Sequence, residues 1–236
     1  MDCRPFFFKK FGLFHHRSTM KIGTDAILLS RWVKVSENDD VLDIGTGCGL
    51  IPLMLAQKGI KSADAVEIDR DSYEEATQNF SNSAWKSQLF AINDDIKHYS
   101  EVSTKKYDLI VSNPPFFFGD NIPEKEKKGL ARHTNTLSYN DLLNSVKKLL
   151  KPEGRFALVL PARESKTFLK DAENQGFYLQ KEMKIVPIEG REPNRINMQL
   201  VVNQVDGIDS KTFILRHQDH SFTKEYKDFL KDYYLD

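Results

Sequence analysis

Four short segments of the chain combine glycines, carboxylates and an amide at places where ligands are commonly bound. The first is Gly45-Thr46-Gly47-Cys48-Gly49, which follows a short apolar segment containing Asp43. Its glycines let a ligand approach the backbone closely at the start of the next helix. The spacing is GxGxG rather than the dinucleotide GxGxxG, and Asp43 would repel a pyrophosphate but suit a positively charged aminoacyl group. The segment therefore favours S-adenosylmethionine over NAD.

Two carboxylates follow at the ends of the next two predicted strands. Glu67 is placed to accept hydrogen bonds from two ribose hydroxyls. Asp95 is placed to accept one from the amino group of an adenine, and the neighbouring Asp94 is an equally suitable alternative. The glycine segment together with Glu67 predicts a bound nucleotide-like cofactor.

The fourth segment is Ser112-Asn113-Pro114-Pro115-Phe116, directly after another predicted strand. An amine that is to be alkylated needs acceptors for both of its hydrogens and a flat surface for its ring. Asn113 offers a side-chain carbonyl, Pro114 a backbone carbonyl and Phe116 an aromatic face, so the nitrogen lone pair can point at a sulfonium methyl. This arrangement predicts an amine methylated without a metal, whereas the alternative interpretation is a proline-rich turn.

Charge provides only local evidence for a polyanionic partner. Lys plus Arg equals Asp plus Glu at 34 each, so no basic excess points to nucleic acid. Lys9, Lys10 and Arg17, with phenylalanines between them, are suited to single-stranded RNA. Arg132 and His133 form a second candidate set. The alternative is that the phenylalanines are core residues and the lysines ordinary surface.

Other features narrow the setting in which the protein works. No apolar stretch approaches the roughly 18 residues of a membrane helix, which predicts a protein that is neither exported nor membrane-spanning. The two cysteines lack metal-ligand spacing, and the histidines lack Cys or carboxylate partners at such spacing. We therefore expect no metal, a cytoplasmic location and, by default, a monomer.

Apolar segments alternate with helical ones from Asp40 onward, which predicts a mostly parallel, doubly wound α/β sheet. The predicted strands lie at 41–44, 63–68, 88–92, 107–111 and 156–160, and the predicted helices at 50–57, 70–80 and 139–150. Beyond Gly176 the β-rich segments 177–188, 195–204 and 211–215 predict an antiparallel C-terminal edge. The long polar stretch 120–136 is expected to be a functional loop.

The glycine segment, Glu67, Asp95 and Asn113-Pro114-Pro115-Phe116 together resemble class I amino methyltransferases, which implies a Rossmann-like domain. Within that superfamily, the sequence is similar to the bacterial N6-methyltransferases that modify adenine 37 of valine transfer RNA. The similarity is seen in the segments 11–32, 131–133 and 226–235. The resemblance implies a transfer RNA partner whose adenine flips out of its stack. It also implies that a helix beginning near Thr24 closes over the methionine end of the cofactor, with Thr24 as its N-cap.

The resemblance extends over nearly the whole chain, so we expect one domain over 1–236. Its parts are an N-terminal segment 1–34, a catalytic core 40–205 and a C-terminal strand and helix 206–236. Several functions stay open at this point: methylation of ribosomal RNA, of DNA adenine or of a protein glutamine, a catalytically silent RNA-binding module, and an NAD-dependent oxidoreductase.

Overall fold

The computed structural model describes residues 4–18, 21–114 and 137–234. In these ranges the chain forms an eight-stranded sheet with helices packed on both of its faces, and a separate two-stranded hairpin. The strands are Phe6–Phe7 (β1), Gly12–Leu13 (β2), Asp40–Ile44 (β3), Ser62–Glu67 (β4), Leu89–Asn93 (β5), Tyr107–Ser112 (β6), Leu150–Pro161 (β7), Tyr178–Ile188 (β8), Arg195–Val201 (β9) and Asp209–Arg216 (β10). The helices are Thr24–Trp32 (α1), Leu50–Gln57 (α2), Arg70–Ser81 (α3), Ile96–Val102 (α4), Tyr139–Leu149 (α5), Ala162–Asn174 (α6) and Lys224–Leu230 (α7).

The large sheet has the strand order β10-β8-β9-β7-β6-β3-β4-β5. Strands β3 to β7 pair in parallel, and β9 runs antiparallel to both β7 and β8. The outermost strand β10 pairs in parallel with β8. The predicted α/β class, with a mostly parallel sheet and an antiparallel edge, is confirmed.

Chain order reverses between β3 and β6. From β3 the chain moves outward through β4 to β5, and it then returns to form β6 on the other side of β3. Open α/β sheets bind ligands at such a reversal, beyond the carboxyl ends of the strands. The sheet topology therefore points to the segments that follow β3 and β6.

Two apolar cores cover the faces of the sheet. Alternate residues of β7 belong to different cores: Ala157 and Val159 pack on the side of α1 and α2, while Leu158 and Leu160 pack on the side of α5 and α6. Burial on both faces produces continuous apolar strands rather than alternating ones. This is why the parallel strands were recognisable from composition.

The N-terminal hairpin divides its phenylalanines between core and surface. Phe8 and Phe11 are buried and stack on one another, whereas Phe6 and Phe7 in β1 are exposed. The Lys9 amide donates to the carbonyl of Tyr233 near the C-terminal end, at 2.7 Å. In the described parts of the chain, no helix combines the length and apolarity needed to cross a bilayer.

Candidate active site

The glycine segment forms a turn from the end of β3 to the start of α2. Gly45, Gly47 and Gly49 have φ of +73°, +56° and +84°, values that side chains rarely allow. A Cβ added at Gly45 or Gly47 would meet nothing within 4 Å, while one at Gly49 would lie 2.5 Å from the Phe80 ring. The first two glycines therefore line open space, and the third allows α2 to pack against α3.

Asp43 lies in β3, two residues before Gly45, and is fully buried. Among the described residues, neither of its carboxylate oxygens meets the geometry of a hydrogen bond. Burial raises the pKa of Asp43 to about 7, although the nearby Thr46 side chain acts to lower it. A buried acid without partners is costly for the fold, and a cationic group arriving beside it would offset that cost. This fits the predicted aminoacyl group.

Glu67 ends β4 and ties that strand to the glycine segment. Its Oε2 accepts the amide of Gly47 at 2.8 Å, and its Oε1 accepts the amide of Asp69 at 2.9 Å. The side chain is largely buried, and this burial raises the pKa of Glu67. Each carboxylate oxygen has a second lone pair, so hydroxyl donors can still be accepted there.

Asp94 and Asp95 both follow β5, and each already has a local partner. Asp95 is the N-cap of α4 and accepts the Lys97 amide at 2.9 Å. Asp94 accepts the Asp95 amide at 2.8 Å and lies 2.8 Å from Nδ1 of His98. The pairing of β4 with β5 brings this segment beside Glu67. The choice between the two acids as the adenine acceptor stays a prediction.

Asn113 follows β6 immediately and lies beside the end of β3. The hydroxyl of Ser112 donates to the carbonyl of Ile44 at 2.9 Å, which joins the two strand ends. Asn113 is half-buried, and its buried Oδ1 has no hydrogen-bond partner among residues 4–18, 21–114 and 137–234; Pro114 is buried. Because β3 and β6 are neighbours, an acceptor stands next to the open space at Gly45.

Four residues predicted for the site or for RNA lie outside the described residues. They are Pro115, Phe116, Arg132 and His133. The other residues predicted to bind the cofactor, apart from Thr24, lie at or just after the carboxyl ends of β3, β4, β5 and β6. These strand ends lie along one edge of the sheet. The topology therefore brings the glycine segment, both candidate acids and Asn113 together.

The prediction that Thr24 caps α1 is wrong. Gly23 is the N-cap, in an extended conformation with φ −117° and ψ 147°, and no side chain of the described residues caps the helix. Thr24 is the first helical residue and is exposed, so its hydroxyl is one position too late to cap. Asp25 in the same turn pairs with Arg195 at 2.9 Å, which fastens the start of α1 to β9. A role for Thr24 in cofactor binding stays a prediction.

The basic N-terminal residues lie in two places. Arg17 is exposed and lies against α3. Its guanidinium donates to the side chain of Gln78 at 2.9 Å and lies 3.6 Å from the carboxylate of Glu74. Lys10 lines a groove of about 690 Å³ at the C-terminal ends of α1 and α2, which also contains Arg31, Lys34 and Lys58. Because α2 starts at the glycine segment and extends for about 12 Å, Lys10 and its neighbour Lys9 are not brought to the edge that carries Asn113.

Two buried residues of α3 were missed by sequence reasoning. Glu75 accepts backbone amides from the segment 14–18, and Asn79 bonds to that segment and to the glycine segment. Polar residues on an amphipathic helix are usually read as solvated, and nothing local in the sequence distinguishes these two. In the described ranges, no group of three or more His, Cys, Asp or Glu side chains could hold a metal.

Comparison with known proteins gives one consistent answer. Residues 6–181 match the family model of the methyltransferase small domain. The chain is 39% identical to the tRNA1(Val) (adenine(37)-N6)-methyltransferase of Trichodesmium erythraeum, covering 100% of this chain and 99% of the relative. It is 38% identical to the enzyme of the same name from Parabacteroides distasonis, with 99% of each chain covered.

Solved structures agree on the fold. A predicted O-methyltransferase from Agrobacterium tumefaciens is similar with a TM-score of 0.70 over 89% of this chain and 96% of the other, at 16% identity. That identity is informative about the fold alone, whereas the full-length relatives define the family. The chain belongs to the methyltransferase small domain family and, within it, to the family of the tRNA1(Val) (adenine(37)-N6)-methyltransferases.

Proposed function

We propose that this protein transfers the methyl group of S-adenosylmethionine to the exocyclic N6 of adenine 37 in valine transfer RNA. The observation that carries the proposal is Oδ1 of Asn113, a buried acceptor beside the glycine segment for which the described part of the chain provides no donor. An unpaired buried carbonyl is costly unless a ligand completes it. An adenine amino group supplies the missing donor, and the full-length relatives are named for that reaction.

Three features of the same sheet edge suit the site to S-adenosylmethionine. Gly45 and Gly47 leave open space where a Cβ would project. Asp43 provides two unpartnered oxygens for a cationic amino group, and Glu67 has spare acceptor capacity for ribose hydroxyls. When bound, S-adenosylmethionine supplies an electrophilic methyl on its sulfonium sulfur. Neutral or anionic cofactors gain nothing from Asp43, which supports this donor over NAD.

The residues of the chain act on the acceptor amine by orientation. Oδ1 of Asn113 accepts one amino hydrogen, and the backbone carbonyl of Pro114 accepts the other. Holding both hydrogens turns the nitrogen lone pair away from the protein and toward the methyl donor. Such alignment lowers the barrier by fixing the approach geometry rather than by removing a proton beforehand. The N–C bond forms as the S–C bond of the donor breaks, which leaves a neutral thioether, and the methylated nitrogen then gives up one proton to solvent.

The proposed RNA substrate requires that the adenine leave its stack and enter the space beyond the carboxyl ends of β3 and β6. Arg17 is an exposed cation that can contact phosphate, and Phe116 is proposed to stack on the base. We also propose that Pro115, Arg132 and His133 belong to this substrate side. A transfer RNA substrate in turn supports a cytoplasmic site of action.

The decisive experiment measures methyl transfer from labelled cofactor to transcribed valine transfer RNA, followed by nucleoside analysis. Parallel reactions contain the variant in which adenine 37 is guanine, and duplex DNA containing adenine. We expect N6-methyladenosine in the parent transcript and no label in either comparison. Label in DNA or in the guanine variant, with none in the parent, contradicts the substrate assignment. Absence of label from all three contradicts the activity itself.

A further inference from the structure

The segment 14–18 lies along α3 and is fastened there by two buried side chains that the proposed methyl transfer does not use. Glu75 is fully buried and makes most of these bonds. Its Oε1 accepts the amides of His16 and Arg17 at 2.9 and 3.0 Å. Its Oε2 accepts the amide and the hydroxyl of Ser18 at 2.9 and 2.5 Å. One carboxylate therefore fixes three consecutive backbone positions.

The charge of Glu75 strengthens this attachment. Burial acts to raise the pKa of Glu75, but hydrogen bonds from Arg17, Ser18 and His16 outweigh it and hold the pKa below its usual value. The carboxylate is therefore ionised near neutral pH. Hydrogen bonds to an ionised acceptor are roughly twice as strong as neutral ones.

Asn79 lies one turn further along α3 and has two sets of partners. Its Oδ1 accepts the amide of Phe14 at 2.9 Å, and its Nδ2 donates to the carbonyl of Phe14 at 2.8 Å. The same Nδ2 donates to the carbonyl of Cys48 at 2.8 Å. Cys48 stands between Gly47 and Gly49, so one buried amide joins the N-terminal segment directly to the glycine segment.

The helix that carries both side chains also begins at the cofactor edge. Asp69, the N-cap of α3, donates its amide to Glu67. Glu67 holds the amide of Gly47, so the glycine segment is connected to α3 at both Gly47 and Cys48. A direct hydrogen bond therefore connects Asn79 to the segment that a ligand would contact.

We propose that Glu75 and Asn79 are positioning residues that couple the glycine segment to residues 14–18, so that a bound cofactor stabilises this segment, whose exposed Arg17 is available to the RNA. This inference rests on the proposed function for the identity of cofactor and RNA. Coupling of this kind is reciprocal: the cofactor tightens RNA binding by the same factor by which RNA tightens cofactor binding. It requires only that ligand binding make local opening of the attached segment rarer, with no large movement.

A first experiment needs no RNA. Amide hydrogen exchange of residues 14–18 is measured with and without saturating S-adenosylhomocysteine, the reaction product. In the wild-type protein we expect the ligand to slow exchange about fivefold or more, the lower end of usual coupling. Asn79→Ala should abolish this response. Thr77→Ala, at an exposed position of the same helix, should retain it.

A second experiment separates positioning from folding by kinetics. Glu75→Gln keeps the size of the side chain but removes its charge and one acceptor, so the Michaelis constant for valine transfer RNA should rise about fivefold or more. The turnover number and the calorimetric Kd for S-adenosylhomocysteine should stay at wild-type values. Asp71→Asn removes an exposed carboxylate from the same helix and should change none of the three.

A milder variant covers the case in which Glu75→Gln or Asn79→Ala does not fold. Ser18→Ala removes only the hydroxyl bond to Glu75, and it should shift the exchange response and the RNA Michaelis constant in the same direction by less. The coupling is overturned if S-adenosylhomocysteine does not change the amide exchange rates of residues 14–18 in the wild-type protein. It is also overturned if Asn79→Ala shows the same ligand response as Thr77→Ala, even when transfer RNA is methylated. If the wild-type protein does not methylate valine transfer RNA, the proposed function is contradicted instead. The hydrogen-exchange result still decides whether the coupling exists.

Discussion

At the residue scale, the site consists of polar atoms that the fold leaves incomplete. Oδ1 of Asn113 and both oxygens of Asp43 are buried and have no hydrogen-bond partner in the described ranges, although buried polar groups in folded proteins are almost always paired. Each of these atoms stands next to the glycine turn in the sheet. Unpartnered buried atoms also occur elsewhere in the described residues, as at Asn197 in β9, but those of Asp43 and Asn113 lie where the reversal of strand order favours a ligand.

Replacing Asn113 with Ala should separate chemistry from cofactor binding. The variant loses an acceptor for the target amine and keeps the glycine segment, Asp43 and Glu67. We expect turnover to fall about a hundredfold, the usual cost of a misaligned reacting group, with little change in cofactor Kd. Single-turnover methyl transfer and calorimetry measure the two quantities. Equal losses in both would assign Asn113 to the cofactor.

Asp43 should make the stability of the unliganded protein depend on pH. Its pKa is about 7 in the folded protein and 3.8 in the unfolded chain. Between these values the unfolded chain gives up a proton that the folded protein keeps, so rising pH favours unfolding, by at most about 1.4 kcal/mol per pH unit. The contribution of Asp43 to stability is therefore complete below pH 3.8 and lost as pH rises through 7.

The comparison that isolates this effect is Asp43→Asn against wild type in urea unfolding at pH 5 and pH 8. Asn cannot ionise, so the variant should gain stability relative to wild type as pH rises. Asp71→Asn, which removes an exposed carboxylate, should show no such trend. A constant difference between Asp43→Asn and wild type over this range would mean that Asp43 is already ionised in the folded protein.

At the element scale, the turn between β3 and α2 depends on two separate properties of glycine. Gly49 requires both a left-handed backbone and the absence of a Cβ, since that atom would lie 2.5 Å from Phe80. Gly59 has φ of +90° but open space around it. The two positions therefore allow backbone strain to be distinguished from steric conflict within one protein.

Gly59→Ala should cost roughly 1 to 2 kcal/mol of stability from the left-handed backbone alone, and cofactor binding should be unchanged. Gly49→Ala should cost more, because Phe80 must also move, and it should weaken cofactor binding since Gly49 is the N-cap of α2. Urea unfolding and calorimetry test both expectations. Equal effects of the two substitutions on both measurements would show that contact with Phe80 is unimportant.

The sequence predicted those elements whose signals are local. The parallel strands were recognisable because they are buried on both faces, and the site segments because each follows a strand end. Helix α6 was not predicted, since it starts after Pro161 without a side-chain cap. The parallel direction of β10 is not encoded in its composition. Glu75 and Asn79 were missed because their partners lie 31 to 65 residues away along the chain.

At the scale of the whole molecule, the balance of 34 basic and 34 acidic residues removes long-range attraction as an explanation of RNA binding. Cations must then act where they are locally in excess. The groove at the C-terminal ends of α1 and α2 collects Lys10, Arg31, Lys34 and Lys58, with Asp232 as its acid. It lies away from Asn113, so an RNA that contacts both must extend along α1.

Joint charge reversal of Lys9 and Lys10 tests whether transfer RNA reaches that groove. If it does, the double variant Lys9→Glu with Lys10→Glu should raise the Michaelis constant for RNA about tenfold. The slope of log binding constant against log salt concentration should fall by roughly one unit per lost phosphate contact, and turnover and cofactor Kd should be preserved.

The matched control is Lys166→Glu with Lys170→Glu. It changes net charge equally on exposed positions of α6, a helix packed on the opposite face of the sheet. Steady-state kinetics at two salt concentrations supply the measurement. Similar shifts in both pairs would mean that net charge alone is responsible, and unchanged kinetics in the Lys9 and Lys10 pair would confine RNA contact to the sheet edge and Arg17.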